Sequence, residues 1–489
     1  MSTCEHLPGD AASRGLSRRE WLSGGALGFA SVALEALLAR TSGAAPLPSD
    51  GRPPLAVPGS LNPLAQRLPH FRPRAKRVIF LFMHGGPSQV DTFDWKPLLE
   101  RDHGKPLPFP KPRVVFAPTG NLLRSPWKFR PHGACGATVS ELFPELAKHV
   151  DKLCFVKSLH GTNEAHGGAL LALHTGSDTF VRPSMGSWIT YGLGSENENL
   201  PGFLTICPTL GHGGVNNWSS AFLPGAYQGT PIGNASVPAE RATIEHLKNA
   251  ELSPELQRRQ LDFVQRRNQQ HLAERGADDA LESRILSFEL AYRMQTEAPE
   301  LLSIDGESVA TRELYGLSDP KTANFGRQCL MARRFIEAGV RFVQCTHSYK
   351  WDQHEDLKNG HESNAREVDR PIAALLHDLD VRGLLEETLV LWGGEFGRTP
   401  VAQGTNGRDH NPHGFTVWMA GGGVRRGFSY GATDEYGYYA VEDKVHVHDL
   451  HATLLALLGL DHERLTYRAS GRDFRLTDVA GRVITPLFA

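Results

Sequence analysis

The stretch GRDHNPHG, residues 407–414, sets Asp409, His410 and His413 beside Arg408 among turn-forming residues. Imidazole and carboxylate together are the donor set of transition-metal sites, and a neighbouring guanidinium suits an anionic group. Similar side chains recur at four other places. His84 ends the apolar run of RVIFLFMHGG, His166 opens HGGALLALHTG, Asp352 and His354 share WDQH, and Glu395 and Arg398 lie in GGEFGRTP. Asp352 and His354 stand two residues apart, which in an extended segment turns both side chains to one side. A lone loop histidine is more often solvated or hydrogen-bonded than a ligand. The five places therefore mean a metal site only if the fold brings them together.

Four apolar runs supply the elements that would do so. RVIFLFM from Arg77, RFVQCT (341–346), TLVLWGG (388–394) and FTVWMAGGG (415–423) read as strands buried on both faces. Between the second and third, REVDRPIAALLHDLDVRGLL has a helical period, and strand, helix, strand predicts an α/β fold with a mostly parallel central sheet and helices on both faces. Ligands of such sheets bind at the carboxyl ends of the strands. His84, His347, Asp352, His354, Glu395 and Arg398 follow three of the runs, and Asp409, His410 and His413 lie just before the fourth. Gly and Pro exclude a helix over 407–414, so that segment reads as a loop. The AGGG run after FTVWM lacks the Lys-Ser/Thr of a phosphate loop and reads as a tight turn. Residues from about 240 to 297 are polar and helical in period with a break near Gly276, a helical insertion on the outside.

Composition narrows the partners. The chain has 489 residues, 40% hydrophobic and 22% charged, which is the profile of a soluble globular protein. A net charge of −2 gives no footprint for nucleic acid, and no run of Lys and Arg suits an anionic membrane, so small molecules or neutral polymers are expected. The six cysteines contain no C-x-x-C pair, which argues against a cysteine zinc site and a thioredoxin-like motif. Histidine is concentrated instead: 10 of 22 fall in the last 149 residues, where a metal is to be sought.

At the amino end, Ser17-Arg18-Arg19-Glu20-Trp21-Leu22 precedes a weakly apolar stretch and then the small residues TSGAA. This is the order of a twin-arginine export signal. It divides the chain into a signal (1–45), a Pro-rich linker or arm (46–75) and one domain (76–489), exported by the twin-arginine machinery to the periplasm or beyond. No later stretch reaches the roughly 18 apolar residues of a membrane span.

TLVLWGGEFGRTP resembles the strand that ends in Asp-His-Gly in the alkaline-phosphatase-like superfamily, and VHDLHATLLALLGL is similar to the Asp-Leu-x-x-Thr-Leu-Leu helix of sulfatases. RVIFLFMHGG resembles their first strand, with His84 where an aspartate binds metal. More closely, HGGPSQVDTFDWKP, WDQH, GGEFGRTP, GRDHNPHGFTVWMAGGG and TYRASGRDFRLTDVAGRVI, in that order, resemble the bacterial family called domain of unknown function 1501, from about Arg77 onward. The resemblance implies an alkaline-phosphatase-like fold and a metal centre of His84, Asp352, His354, Glu395 and His410 or His413. One or two divalent ions are expected, Zn or Mn rather than Ca or Mg. Arg408 or Asp409 would support a ligand or touch the substrate.

His166 stands at the superfamily's nucleophile position, where Ser, Thr or Cys is absent. It can accept a phosphoryl group, bind metal, or leave the attack to metal-activated water, with Asn163 and Glu164 as orienting groups. Ligation is the preferred reading. Asp91 and Asp94 suit ligand and turn-capping roles equally. The sulfatase motif Cys-x-Pro-x-Arg is absent, which argues against a formylglycine mechanism. The expectation is an exported metal-dependent hydrolase of a phosphate or sulfate ester, small or carried on a polysaccharide, with Arg398 or Arg408 gripping the anion. The alternative is a non-catalytic metal- or glycan-binding protein on the same fold.

Overall fold

After Arg77 the run VIFLFM carries no polar side chain, and it forms strand β1 (Arg77–Met83). Val78, Phe80 and Phe82 join one buried cluster, and Ile79, Leu81 and Met83 join another. Successive side chains of a strand point to opposite faces, so this division requires a sheet covered on both sides. The computed structural model describes residues 63–110, 118–249, 251–275 and 279–489. The export signal read at 1–45, most of the Pro-rich arm and the break at Gly276 lie outside the described residues.

Along the chain, β2 (Leu153–His160) leads into helices α1 (His166–Thr175) and α2 (Met185–Leu193), then β3 (Phe203–Ile206) and β4 (Thr230–Ile232). The polar insertion forms helices α3 (Pro254–Arg275) and α4 (Asp279–Leu302). Next come α5 (Ala323–Glu337), β5 (Phe342–His347), α6 (Leu357–Val381) and β6 (Thr388–Gly393). Strands β7 (Gly397–Gln403), β8 (Gly407–Asn411), β9 (Phe415–Ala420), β10 (Phe428–Tyr430) and β11 (Val445–His446) precede α7 (Val447–Leu457).

Nine strands make the central sheet, in the order β10-β2-β9-β6-β1-β5-β3-β4 with β11 beside β2. The cluster on the Phe80 face takes Leu170 and Leu173 of α1, Trp188 of α2 and Leu450 and Leu454 of α7. The opposite face takes Phe325 and Phe335 of α5 and Leu375 and Leu379 of α6. The predicted mostly parallel sheet between two helical layers is the architecture found.

The sheet is mixed at one strand, and one expectation, the loop at 407–414, is corrected. The fourth apolar run, β9, is antiparallel to both its neighbours, β2 and β6, whereas the other pairings in the sheet are parallel. No helix intervenes to carry the chain back after β6. The segment stays at the edge where β6 ends, folds into the β7–β8 hairpin, and β9 must then run the other way. The segment read as a loop is largely strand: β8 pairs antiparallel with β7, Arg398 opposite His410 and Gln403 opposite Gly407. Gly407 and Pro412 exclude a helix, but they stand at the ends of β8, where a strand tolerates them.

Two buried histidines tie this fold to pH. His361 of α6 accepts the Ser88 backbone N–H on Nε2 at 3.1 Å, and His451 of α7 meets the Leu173 carbonyl through Nε2 at 2.7 Å. Burial pushes both imidazoles down to about 3 from the ordinary 6.5. Below pH 6.5 the unfolded chain therefore takes up protons that the folded chain refuses. The stability is complete above pH 6.5 and is lost as pH falls towards 3, each group contributing up to about 1.4 kcal/mol per pH unit. Urea midpoints are expected to fall between pH 6.5 and 5, with a shallower fall in His451→Gln. An identical slope in that variant would refute the assignment.

Candidate metal centre

The alternation that sends Phe80 and Phe82 to the α1 side of the sheet sends His84 there too, directly beyond β1. Gly85 follows with φ +115°, and a Cβ there would lie 2.7 Å from the Asp352 nitrogen and 2.8 Å from that of Trp351. Only glycine lets the loop after β5 rest on this turn, where Lys350 and Trp351 each donate an N–H to the His84 carbonyl at 3.2 Å. From the end of β6, Glu395 accepts the Gly85 N–H at 3.0 Å. His166 enters from the first position of α1.

Asp352 is the meeting point. Its Oδ1 accepts from Arg398 Nη2 at 2.7 Å and lies 2.9 Å from His354 Nε2 and 3.1 Å from His410 Nε2. Its Oδ2 lies 3.3 Å from His166 Nε2 and accepts from the Tyr349 hydroxyl at 3.1 Å. The opposite nitrogen of each imidazole faces an acceptor: His166 Nδ1 reaches Glu395 at 2.6 Å, His410 Nδ1 the Glu164 carbonyl at 2.7 Å, and His354 Nδ1 the Gln403 amide oxygen. A neutral imidazole that donates from Nδ1 carries a lone pair on Nε2. Three such lone pairs aimed at one carboxylate repel it unless protons or a cation lie between. Histidines tied behind by a carboxylate or carbonyl, with Nε2 forward, are what metal ligation requires.

The electrostatics agree. Burial opposes the charged form of His166, but its hydrogen bonds to Asp352 and Glu395 outweigh that and raise its pKa. The bond to Asp352 raises His354, while burial lowers His410. Burial would raise Asp352, yet the three histidines and Arg398 hold it far below the carboxylate range. The site is organised around negative charge on Asp352 and positive charge beside it.

Among the described residues, three sets of ligand atoms fall within 4.8 Å of one another: His84, His166 and His212; His166, Asp352 and His410; His354, Asp409 and His410. Most of these line a pocket of about 450 Å³, together with Ala165, Gly167, Tyr349 and Gln403. The fully buried His84 has no hydrogen-bond partner on either ring nitrogen. No Ser, Thr or Cys side chain lines the pocket.

Of the residues singled out in the sequence, His84, His166, Asp352, His354 and His410 converge, and Glu395 stands behind His166. His413 does not join them; its ring packs on Tyr438 and Tyr439, with centroids 6.2 and 5.4 Å away. Arg398 is fully buried and spends its guanidinium on the Gly85, Gly86 and Arg408 carbonyls and on Asp352. Arg408 is also fully buried, paired with Asp91. No arginine or lysine lines the pocket. Asp94 pairs with Lys96 at 3.2 Å, and Asn163 accepts the Ala165 N–H at 2.9 Å as a support for the start of α1. His212 was missed. It lies on the loop beyond the end of β3, between Gly211 and Gly213, whereas His84 directly follows β1, and a four-residue strand gives little sequence signal.

Gly407 fixes the outer rim. A Cβ on it would meet the His354 carbonyl oxygen at 1.7 Å, so β8 and the His354 loop touch backbone to backbone. Gly407→Ala is expected to lose at least about 1–3 kcal/mol in urea unfolding, the usual cost of overpacking, and to bind metal more weakly. Wild-type values for both would show that this contact does not hold His354 in place.

The family whose description is "Protein of unknown function (DUF1501)" matches residues 75–488. No curated protein matches the chain. Among solved structures the chain is similar to a sulfatase, PsFucS1, from Pseudoalteromonas sp., with TM-score 0.34 and 12% identity over 80% of this chain and 69% of that one. It is similar to the lipoteichoic acid synthase LtaP from Listeria monocytogenes, with TM-score 0.35 and 9% identity over 86% and 78%. For the alkaline phosphatase from the Antarctic bacterium TAB5 the TM-score is 0.32, with 10% identity over 78% and 98%. No helix among the described residues is long and apolar enough to cross a membrane.

Proposed function

The chain belongs to the DUF1501 family, which matches residues 75–488, and from that footing we propose that it is a metal-dependent hydrolase of a phosphate or sulfate ester. The observation that carries this reading is the convergence of three imidazole Nε2 atoms on Asp352, each with its Nδ1 facing an acceptor. A divalent cation bound there supplies Lewis acidity towards the ester and lowers the pKa of water. A donor set of imidazole and carboxylate favours Zn or Mn over Ca or Mg.

The residues divide the work. Glu395 orients His166, the Glu164 carbonyl orients His410, and Arg398 fixes Asp352 from behind. Arg398 and Arg408 thus act as positioning residues rather than as a grip on the anion. His212 and Tyr349 flank the mouth, where an ester, free or on a polysaccharide, meets the pocket. The twin-arginine pattern at Arg18 and Arg19 supports action outside the cytoplasm, after export through that machinery.

A second reading, a metal- or glycan-binding protein without catalysis, draws support from the pocket's lack of Ser, Thr, Cys, Arg and Lys side chains. One experiment separates the two. The mature protein is assayed on aryl phosphate and sulfate esters with and without chelator, beside His354→Ala and Glu395→Ala. Hydrolysis should disappear with chelator, return with Zn or Mn, and be absent from both variants. Metal bound without hydrolysis of any ester favours the second reading, and hydrolysis that survives chelator and both substitutions sinks the metal's role.

A further inference from the structure

Strand β5 ends in His347, beside Met83 of β1, and in the sequence it stands among the polar residues that follow the strands. Val343 and Cys345 join the cluster under α5 and α6, and alternation sends His347 to that face too, away from the pocket on the α1 side. Its buried ring lies 5.5 Å from that of Phe325 in α5, and both of its nitrogens are engaged. Nδ1 accepts the indole N–H of Trp351 at 2.9 Å. A neutral imidazole that accepts on Nδ1 carries its proton on Nε2, and that nitrogen lies 3.0 Å from the Glu367 carboxylate of α6. Burial lowers the pKa of His347 and keeps the ring neutral. Burial would raise the Glu367 carboxyl, but hydrogen bonds from His347 and Lys350 hold it down.

These groups close a loop onto a helix. Between His347 and Asp352 the chain turns through Tyr349 at φ +29°, and beyond His354 it turns through Asp356 at φ +50°, both left-handed. Strained residues persist only where their surroundings over-determine them. Here the fully buried Trp351 folds its indole back onto His347, Lys350 reaches Glu367 through Nζ, and Asn364 of α6 donates to the Lys350 carbonyl at 2.7 Å. The next residue after Trp351 is Asp352, whose carboxylate lies within 3.3 Å of three imidazole Nε2 atoms. From this geometry we propose that His347 is a positioning residue: hydrogen-bonded between Trp351 and Glu367, it ties the loop bearing Asp352 and His354 to α6 and so sets the affinity of the ion at Asp352 without touching ion or substrate. The inference rests on the reading of the pocket as a metal centre and adds to it a support on the opposite face of the sheet.

Two measurements on the full mature chain test it, one of them independent of any metal. In the metal-free protein, hydrogen exchange is followed at the Lys350 and Trp351 amides, which donate to the His84 carbonyl. His347→Leu should speed their exchange roughly tenfold, the scale of one lost hydrogen bond, while β1 and β6 exchange as in the wild type. Zn(II) titrated by calorimetry should then bind at least about tenfold more weakly, as when the partner of a metal ligand is removed. His347→Gln, whose amide can accept from Trp351 and donate to Glu367, should restore both values. Trp351→Phe keeps the ring but removes the N–H, and should shift both values in the direction of His347→Leu, which covers the case that His347→Leu does not fold. Wild-type exchange and Zn(II) affinity in His347→Leu and Trp351→Phe overturn the proposal, as does a His347→Gln protein no better than His347→Leu. Faster exchange at unchanged Zn(II) affinity reduces His347 to packing and overturns its positioning role. A wild type that takes up no Zn(II) sinks the metal reading and the role of His347 in metal affinity with it, and the exchange result distinguishes that failure from a loop that His347 does not hold.

Discussion

Asp352→Asn is expected to weaken the ion at that carboxylate by at least about 100-fold and to take ester hydrolysis with it, while the chain stays folded. Partners that merely support metal ligands already affect affinity about 10–100-fold. Asp352 stands closer to the chemistry, within 3.3 Å of three imidazole Nε2 atoms. The amide keeps the volume and one carbonyl oxygen, so Arg398 retains a partner. The negative charge that balances a dication is gone, and one face becomes a donor. Elemental analysis and a Zn(II) titration measure the first effect, and a thermal melt verifies the fold. An unchanged metal content in a folded Asp352→Asn protein would remove Asp352 from the ligand set.

The second large effect is on stability. Arg408→Met is expected to cost about 3–5 kcal/mol, the range for breaking a buried ion pair by removing one partner. Arg408 holds both oxygens of Asp91 at 2.6 and 3.2 Å and the Thr399 and Leu123 carbonyls at 3.0 Å. Both side chains are fully buried. Burial alone would raise the Asp91 carboxyl, but the charge and hydrogen bonds of Arg408 hold it down. Without the arginine that charge is stranded. The double variant Asp91→Leu, Arg408→Met should lose much less than the sum of the single changes, because an apolar pair leaves no unmet charge. Urea unfolding of the four proteins measures this coupling. If Arg408→Met instead raises KM for an ester at unchanged stability, the substrate-gripping role suggested by its neighbours in the sequence is restored.

The difference between those readings of Arg408 shows what the chain displays openly. Strands such as VIFLFM and TLVLW announce themselves because burial on both faces demands an unbroken apolar run. With β1, β5 and β6 located, the rule that ligands gather at carboxyl ends led to His84, Asp352, His354 and Glu395. Shorter or mixed strands escaped: β2 includes Lys157 and Ser158, and β3 has four residues, so His212 was hidden behind an unseen strand end. A histidine's partner also depends on register. His410 and His413 are three residues apart, and the pairing of Arg398 with His410 decides which of them faces the pocket. The arginines carried the least readable information, since composition shows a cation but not whether Asp91 or a backbone carbonyl already occupies it.

The central position of β1 also governs when the molecule can exist at all. Val78 pairs with Phe342 on one side and Leu389 on the other, so the strand made first waits for partners synthesised near the far end of the chain. Pairings between distant segments are slow to form because the intervening chain must be closed into a loop first. Until β5 has been made, the six residues VIFLFM remain an unpaired apolar segment, and until β6 follows they stay open along one side, the kind of edge that invites aggregation. The pocket has the same schedule, with His84 near one end of the sequence and His410 near the other. A nascent chain arrested before Phe415 would therefore lack the strand that closes the sheet between β6 and β2, and the pocket would assemble only after synthesis had passed that point.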